Sequence, residues 1–165
     1  MQRLYDRHLK ENKHAKPDYL LSEMLGYAYW WDKKNDEAKI YHEQALKGYE
    51  EIFGDESHYL IQPLLNVAMV YFNEKNYKKT DYYLRRSLGI QFKYIQDQIP
   101  FLPISKRNQF IKTLGISYQA IFTATDIDPQ GKNLALFARL NRHGLLEDIE
   151  KKQITLASLK AVSYT

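Results

Sequence analysis

Two stretches of the chain place apolar side chains at three- and four-residue steps: Leu21, Leu25, Ala28 and Tyr29, then Leu64, Val67, Ala68 and Tyr71. That spacing puts each set on one face of a helix and predicts two amphipathic α-helices. Lys33-Lys34-Asn35-Asp36 interrupts the first pattern and Asn73-Glu74-Lys75-Asn76 interrupts the second. A further helix is predicted after each break, carrying Ala38, Tyr41, Ala45 and Leu46 in one case and Tyr83, Leu84, Ser87 and Leu88 in the other. Gly54-Asp55-Glu56-Ser57 separates the two units, with Asp55 or Ser57 placed to cap the helix that follows.

The units are copies of one another. Leu25-Gly26-Tyr27-Ala28-Tyr29 aligns with Val67-Ala68-Met69-Val70-Tyr71 at an offset of 42 residues. The same offset pairs Ala38 with Thr80, Tyr41 with Tyr83, Ala45 with Ser87 and Leu46 with Leu88. Small residues meet small ones, aromatic meet aromatic, aliphatic meet aliphatic. A helix–turn–helix unit repeated in this way predicts a solenoid in which each pair packs on its neighbour.

The residues at these places resemble the tetratricopeptide repeat. Leu25, Gly26, Tyr29, Ala38 and Ala45 occupy its set positions in the first copy, and Val67, Ala68, Tyr71, Thr80, Leu84 and Ser87 do so in the second. The period is longer than the usual ~34 residues, by about one helical turn in each helix. That length is similar to the repeat of kinesin light chains, with Ile52-Phe53-Gly54-Asp55, Leu64-Leu65-Asn66-Val67-Ala68, Tyr71, Tyr77, Tyr83 and Arg86-Ser87-Leu88-Gly89-Ile90 matching it over Tyr19 to Lys93. The sequence departs from that pattern at Thr80 and Ser87, where alanine is usual, and at Leu65, where an asparagine would stand. Small residues let the paired helices approach, so Gly26→Leu is expected to unfold the first pair.

Pro100 and Pro103 end the repeated part. Ser105 is a candidate N-cap for a helix carrying Phe110, Ile111, Leu114, Tyr118 and Ile121. A polar loop, Thr125 to Lys132, precedes another predicted helix with Leu134, Phe137, Leu140, Leu145, Leu146 and Ile149. Phe101-Leu102-Pro103-Ile104-Ser105-Lys106-Arg107 and Leu140-Asn141-Arg142-His143-Gly144-Leu145-Leu146-Glu147-Asp148 resemble phrases that follow such repeats in bacterial proteins, just before a caspase-like CHAT domain. The resemblance implies a repeat region with connecting helices, stopped before that domain, and no peptidase activity of its own. The expected fold is all-α, a tetratricopeptide-like α-solenoid of antiparallel helix pairs with additional C-terminal helices. Residues 1–17 are expected to be a helical cap or a partial repeat, 18–98 the two repeats, and 99–165 a helical extension packed on them.

Composition narrows the function. There are 165 residues, 14 of them tyrosine and none cysteine, with a net charge of +4. The missing cysteines exclude disulfides, thiol catalysis and thiolate metal sites within this sequence. Lysines sit beside glutamates, as at Glu37/Lys39 and Glu74/Lys75, so no single-sign stripe of the kind a nucleic-acid binder uses emerges. No apolar run reaches the ~20 residues of a membrane span, and Met1–Lys16 lacks the apolar middle of a secretory leader. A cytoplasmic location is expected.

Little in the sequence resembles chemistry. Asp126-x-Asp128-x-Gln130-Gly131 starts like a calcium loop, but the closing acid is replaced by Phe137 and Pro129 interrupts the wrap, so it reads as a polar turn. His8, His14, His42, His58 and His143 are scattered, without metal-ligand spacing, and read as surface or hydrogen-bonded side chains. There is no glycine-rich phosphate loop and no nucleophile elbow. Neither an enzyme nor a cofactor is expected.

The resemblance to tetratricopeptide repeats implies that the first helix of each pair lines a concave, partner-binding face. By register Glu23, Met24, Tyr27, Trp30 and Trp31 approach it in the first copy, and Gln62, Asn66, Met69, Phe72 and Asn73 in the second. Asn66 matches the family asparagine whose amide bonds a peptide backbone. Trp30 and Trp31 have an alternative role in closing the stack, and Met69 in the core. Asn66→Ala is expected to weaken partner binding by about 1–2 kcal/mol with melting nearly unchanged. The expected function is a protein–protein interaction scaffold that binds a protein segment or docks a domain in cis. The alternatives are the sensing region of a caspase-like protease and, third, an RNA-binding helical solenoid.

Overall fold

The computed structural model describes residues 18–113, 151, 154 and 155. The expected loop at 125–132, the phrase at 140–148, the N-terminal segment 1–17 and the last predicted helix lie outside these residues. The described elements run α1 (Tyr19–Trp31), α2 (Asn35–Phe53), a 3-10 turn (His58–Leu60), α3 (Ile61–Asn73), α4 (Tyr77–Gln98), a second 3-10 turn (Ile99–Phe101) and α5 (Ile104–Thr113). The chain divides into two compact units between Ile90 and Gln91, inside α4. The architecture is all-α and tetratricopeptide-like, two antiparallel helix pairs followed by further helix.

In the first unit the 42-residue offset extends to individual hydrogen bonds. Lys34 N–H donates to Tyr29 C=O at 3.0 Å and Asn76 N–H to Tyr71 C=O at 2.9 Å. Lys33 N–H donates to Trp30 C=O at 3.1 Å, and Lys75 N–H to Phe72 C=O at 2.9 Å. These paired bonds form the same C-terminal cap on α1 and α3, which needs one left-handed residue. Lys33 at φ 60° and Lys75 at φ 59° supply it. Asp18 opens α1, its carboxylate accepting from the N–H of Leu20 at 3.0 Å and of Leu21 at 3.3 Å. Between the pairs, Gly54 at φ 82° turns the chain out of α2, a conformation that costs glycine nothing. Of the two expected caps there, Ser57 is used, accepting from Tyr59 N–H in the 3-10 turn that leads into α3.

Each pair carries a stacked tyrosine couple at the repeat offset. Tyr29 and Tyr41 lie with centroids 5.4 Å apart, Tyr71 and Tyr83 at 5.7 Å, both nearly parallel. Leu46, Leu60, Leu64, Val67, Tyr71 and Ile90 form the main core, with Tyr49, Ile61 and Tyr83 against it. Each such buried aliphatic stabilises the fold by roughly 2 kcal/mol relative to exposure. The polar departures from the repeat pattern are satisfied in place. Ser87 Oγ donates to the Ile61 carbonyl at 3.1 Å, across from α4 to α3, and Thr80 Oγ1 donates to the Asn76 carbonyl at 3.0 Å. Arg86 ties α4 to α2 through the Glu50 carboxylate and to the hinge through the Asp55 carbonyl at 3.2 Å.

Two expectations need correcting. Ala28, placed by spacing on the buried face, is exposed, whereas its counterpart Val70 is fully buried. A preceding helix pair flanks α3, and among the described residues none flanks α1. His42, read as a surface or hydrogen-bonded histidine, is buried at 3% exposure and its Nδ1 has no hydrogen-bond partner. Desolvation lowers its pKa to about 4, so the ring is neutral.

In the second unit, Ile95 and Ile99 are buried and Tyr94 packs on Phe110 with centroids 5.8 Å apart. Ser105 lies one residue inside α5 rather than at its cap, because the helix begins at Ile104, directly after Pro103. Arg107 Nε donates to the Leu102 carbonyl at 3.0 Å, closing the turn between the 3-10 segment and α5.

Candidate partner-binding face

Helix α1 exposes an apolar stripe. Leu20, Met24, Tyr27 and Trp31 recur at helical spacing, and Trp31 is 76% exposed, Met24 59% and Leu20 51%. The opposite side of α1, with Leu25 and Gly26, is buried against α2, so the stripe is what the pairing leaves over. At the same offset α3 carries Gln62, Asn66, Met69 and Asn73, which are polar except for Met69.

A hydrogen-bonded polar cluster joins the two helices. Asn66 Oδ1 accepts from Tyr27 Oη at 3.1 Å and from Gln62 Nε2 at 2.9 Å. Asn66 Nδ2 donates to Glu23 Oε1 at 3.4 Å, and Gln62 Nε2 also reaches Tyr27 Oη at 3.3 Å. From α2, Tyr49 Oη donates to Glu23 Oε2 at 2.9 Å. Burial, reinforced by the Glu23 carboxylate, raises the Tyr49 pKa well above the phenol range, so this donor keeps its proton.

The structure therefore brings Glu23, Tyr27, Gln62 and Asn66 into one connected cluster. Met24 and Trp31 stand beside it on the exposed stripe, and Met69, Trp30 and Phe72 are half-buried. Asn73 is exposed and contacts Asn35 at the start of α2, at 3.5 Å. Asn66 is 7% exposed and both lone pairs of its carbonyl are occupied, leaving one N–H for anything further. Its removal would break bonds between helices, so the expectation that Asn66→Ala leaves melting unchanged does not fit this geometry. Sequence reasoning missed Leu20 and Tyr49. Leu20 was visible as the residue one turn before Met24; Tyr49 sits on the second helix of its pair and is brought in only by packing.

Nothing in this cluster resembles a catalytic pair. Among the described residues no group of three or more His, Cys, Asp or Glu side chains could hold a metal, and no helix is long and apolar enough to cross a membrane. A different charged knot lies at Tyr71, inside the repeats. Its hydroxyl donates to Glu43 and accepts from Lys79 Nζ at 2.8 Å, and Lys39 and Lys79 ammonium groups stand 4.8 and 4.4 Å from its ring centroid. Desolvation and Glu43 push this phenol up to about 12, and Lys39 is held by Glu74 at 2.8 Å. These groups neutralise one another and hold α2 against α3 and α4.

No curated protein matches the chain. Residues 19–91, a little under half of the sequence, match the tetratricopeptide repeat family. Repeats of this kind generally mediate protein–protein interaction and are typically non-catalytic scaffolds. In sequence and in the pairing of their helices, residues 19–91 are thus similar to tetratricopeptide repeats.

Proposed function

We propose that this region is an interaction scaffold whose face formed by α1 and α3 binds a segment of a partner protein. The exposed stripe of Leu20, Met24, Tyr27 and Trp31 beside a fixed polar cluster is the observation that carries this reading. Exposed aromatic and methionine side chains next to oriented hydrogen-bonding groups are what partner-binding hot spots use. Glu23, Tyr27 and Gln62 supply fixed polar contacts, while Met24, Trp31, Met69 and Asn73 supply adaptable area, with Asn66 as the buried anchor. The face carries no lysine or arginine at these positions, which disfavours an RNA-binding role.

Panning random dodecapeptides against the chain tests the proposal. Trp31→Ala and Met24→Ala should each weaken the selected peptides by about tenfold with unchanged melting, because both residues are largely exposed. Ile40→Ala, an exposed residue on α2, should not. Peptides that bind Trp31→Ala and Met24→Ala as tightly as the parent would remove this face from the reading.

A second reading is favoured by one observation. The turn at Phe101–Arg107, held by the buried Arg107 guanidinium on the Leu102 carbonyl, gives a structural reason for a phrase resembling the connector before CHAT domains. In that reading the kinesin-light-chain-like repeats are the sensing arm of a larger cytoplasmic protease. Immunoblotting the native protein tests it: a band much heavier than 19.6 kDa supports the reading and a band at that mass removes it.

A further inference from the structure

We propose that the segment taken by this face is cationic, a lysine or arginine flanked by apolar side chains; this rests on the scaffold reading above. Glu23 carries the argument. It lies on the same side of α1 as Leu20 and Tyr27, its neighbours three residues before and four after along the helix. Its carboxylate accepts from two neutral donors, Tyr49 Oη at 2.9 Å and Asn66 Nδ2 at the longer 3.4 Å. A carboxylate offers about four acceptor positions, so among the described residues roughly two receive no donor.

Several other carboxylates of the repeats have cations beside them. Glu74 has Lys39, Glu50 has Arg86, and Asp81 has Arg85. Glu43 lies on the Tyr71 hydroxyl, which also receives Lys79. Among the described residues no cation pairs with Glu23. At the α1 and α3 positions that form the face it is the sole ionisable acid and no basic residue accompanies it. An acidic ligand would meet an uncompensated negative charge in partly desolvated surroundings, which is costly. A neutral ligand would leave that charge half-buried with only its two neutral donors. A guanidinium or ammonium fills the open positions with charge-assisted hydrogen bonds.

The apolar stripe sets what surrounds the cation. Tyr27 and Trp31 lie one and two turns beyond Glu23, Leu20 about one turn before it, and Met24 beside it. A long basic side chain can lay its methylene stem on Leu20 and Tyr27 while its head reaches Glu23. Arginine gains further from stacking on the exposed aromatic rings. Apolar residues on either side of the cation would cover Met24 and Trp31.

Three pools of fluorescent dodecapeptides test this, matched in apolar content and differing only in carrying Lys/Arg, Ser/Gln or Asp/Glu. Anisotropy titration against the full chain should rank them basic, neutral, acidic, with about tenfold or more between basic and neutral. Glu23→Gln, which keeps an oxygen for one of the two donors, should erase that preference and the salt dependence of the basic pool. Leu20→Lys offers Glu23 an internal cation on an exposed position that should fold. It should weaken the basic pool more than Leu20→Gln, which removes the same apolar contact without charge. If neutral or acidic peptides bind as well as basic ones, and binding still falls in Trp31→Ala, the scaffold reading stands and the cationic partner is wrong. If no pool shows Trp31-dependent binding, the scaffold reading itself falls.

Discussion

In the first helix pair a glycine and a histidine meet: a Cβ on Gly26 would stand 2.6 Å from His42 Nδ1. In the second pair the same positions hold Ala68 and Leu84, both buried. The repeat thus keeps a small residue opposite a large one, but the first copy uses the smallest residue and a polar ring. Its margin for substitution is narrower, and its core contains a proton acceptor that the second lacks. The same contrast runs along α1. Gly48 lets the Tyr19 side chain lie on α2, since a Cβ there would come within 2.5 Å of it. The second pair has Ile61 and Ile90 at those positions, both in or against the main core.

Gly26→Leu is the sharpest way to break the first pair. A leucine cannot avoid the His42 ring and its own helix backbone together, so a loss of about 3 kcal/mol or more is expected. Ala68→Gly, the converse change in the second pair, should cost about 1 kcal/mol from helix propensity and the small void. Urea midpoints for the two variants measure the difference. Equal losses would mean that the two pairs are packed alike.

Acid is the next test. Burial lowers the His42 pKa from 6.5 to about 4, so the unfolded chain binds the extra proton first. The stabilisation from keeping the ring neutral is complete above about pH 6.5 and is lost as pH falls toward about 4, some 2 kcal/mol by about pH 5. His42→Leu installs the side chain of Leu84 and should flatten that part of the stability–pH curve, read by thermal melting across the range. A parallel slope in the variant would assign the acid loss to other groups.

Asn66 and Met24 occupy equivalent places with opposite consequences. Asn66 is buried and bonded to Tyr27, Gln62 and Glu23, so Asn66→Ala should lower stability by about 1–3 kcal/mol. Met24→Ala, on the open face, should stay within about 0.5 kcal/mol. A Met24→Ala loss as large as that of Asn66→Ala would show that the open face of α1 is packed in solution.

How much of this the sequence carried depends on the range of the interaction. The helix pairs and their breaks were legible, because they follow from spacing within one unit and its recurrence after 42 residues. The stripe on α1 was also legible, apart from Leu20. His42 could have been placed by the same offset, since its counterpart is Leu84, but a histidine among charged residues does not advertise burial. Asn66 could not be placed so. Whether an amide faces solvent or closes a cluster depends on how one pair leans on the next, and that angle is set by side chains far apart in sequence. The exposure of Ala28 has the same origin: its spacing is that of a core residue, and only the absence of a neighbouring pair among the described residues leaves it open.

The smallest predicted effect tests whether the two pairs are equivalent where they look most alike. Lys33 and Lys75 hold nearly identical left-handed conformations and make the same capping bonds. A left-handed lysine costs about 1 kcal/mol that glycine does not, and glycine's greater freedom in the unfolded chain takes back part of the gain. Lys33→Gly and Lys75→Gly should therefore each stabilise by about 0.5 kcal/mol, seen as a modest rise in the urea midpoint with unchanged slope. The gains should add in the double variant, because the turns belong to different helix pairs. If only one substitution stabilises, the other lysine side chain makes a contact that its backbone geometry does not reveal, and the caps are alike in form but not in energy.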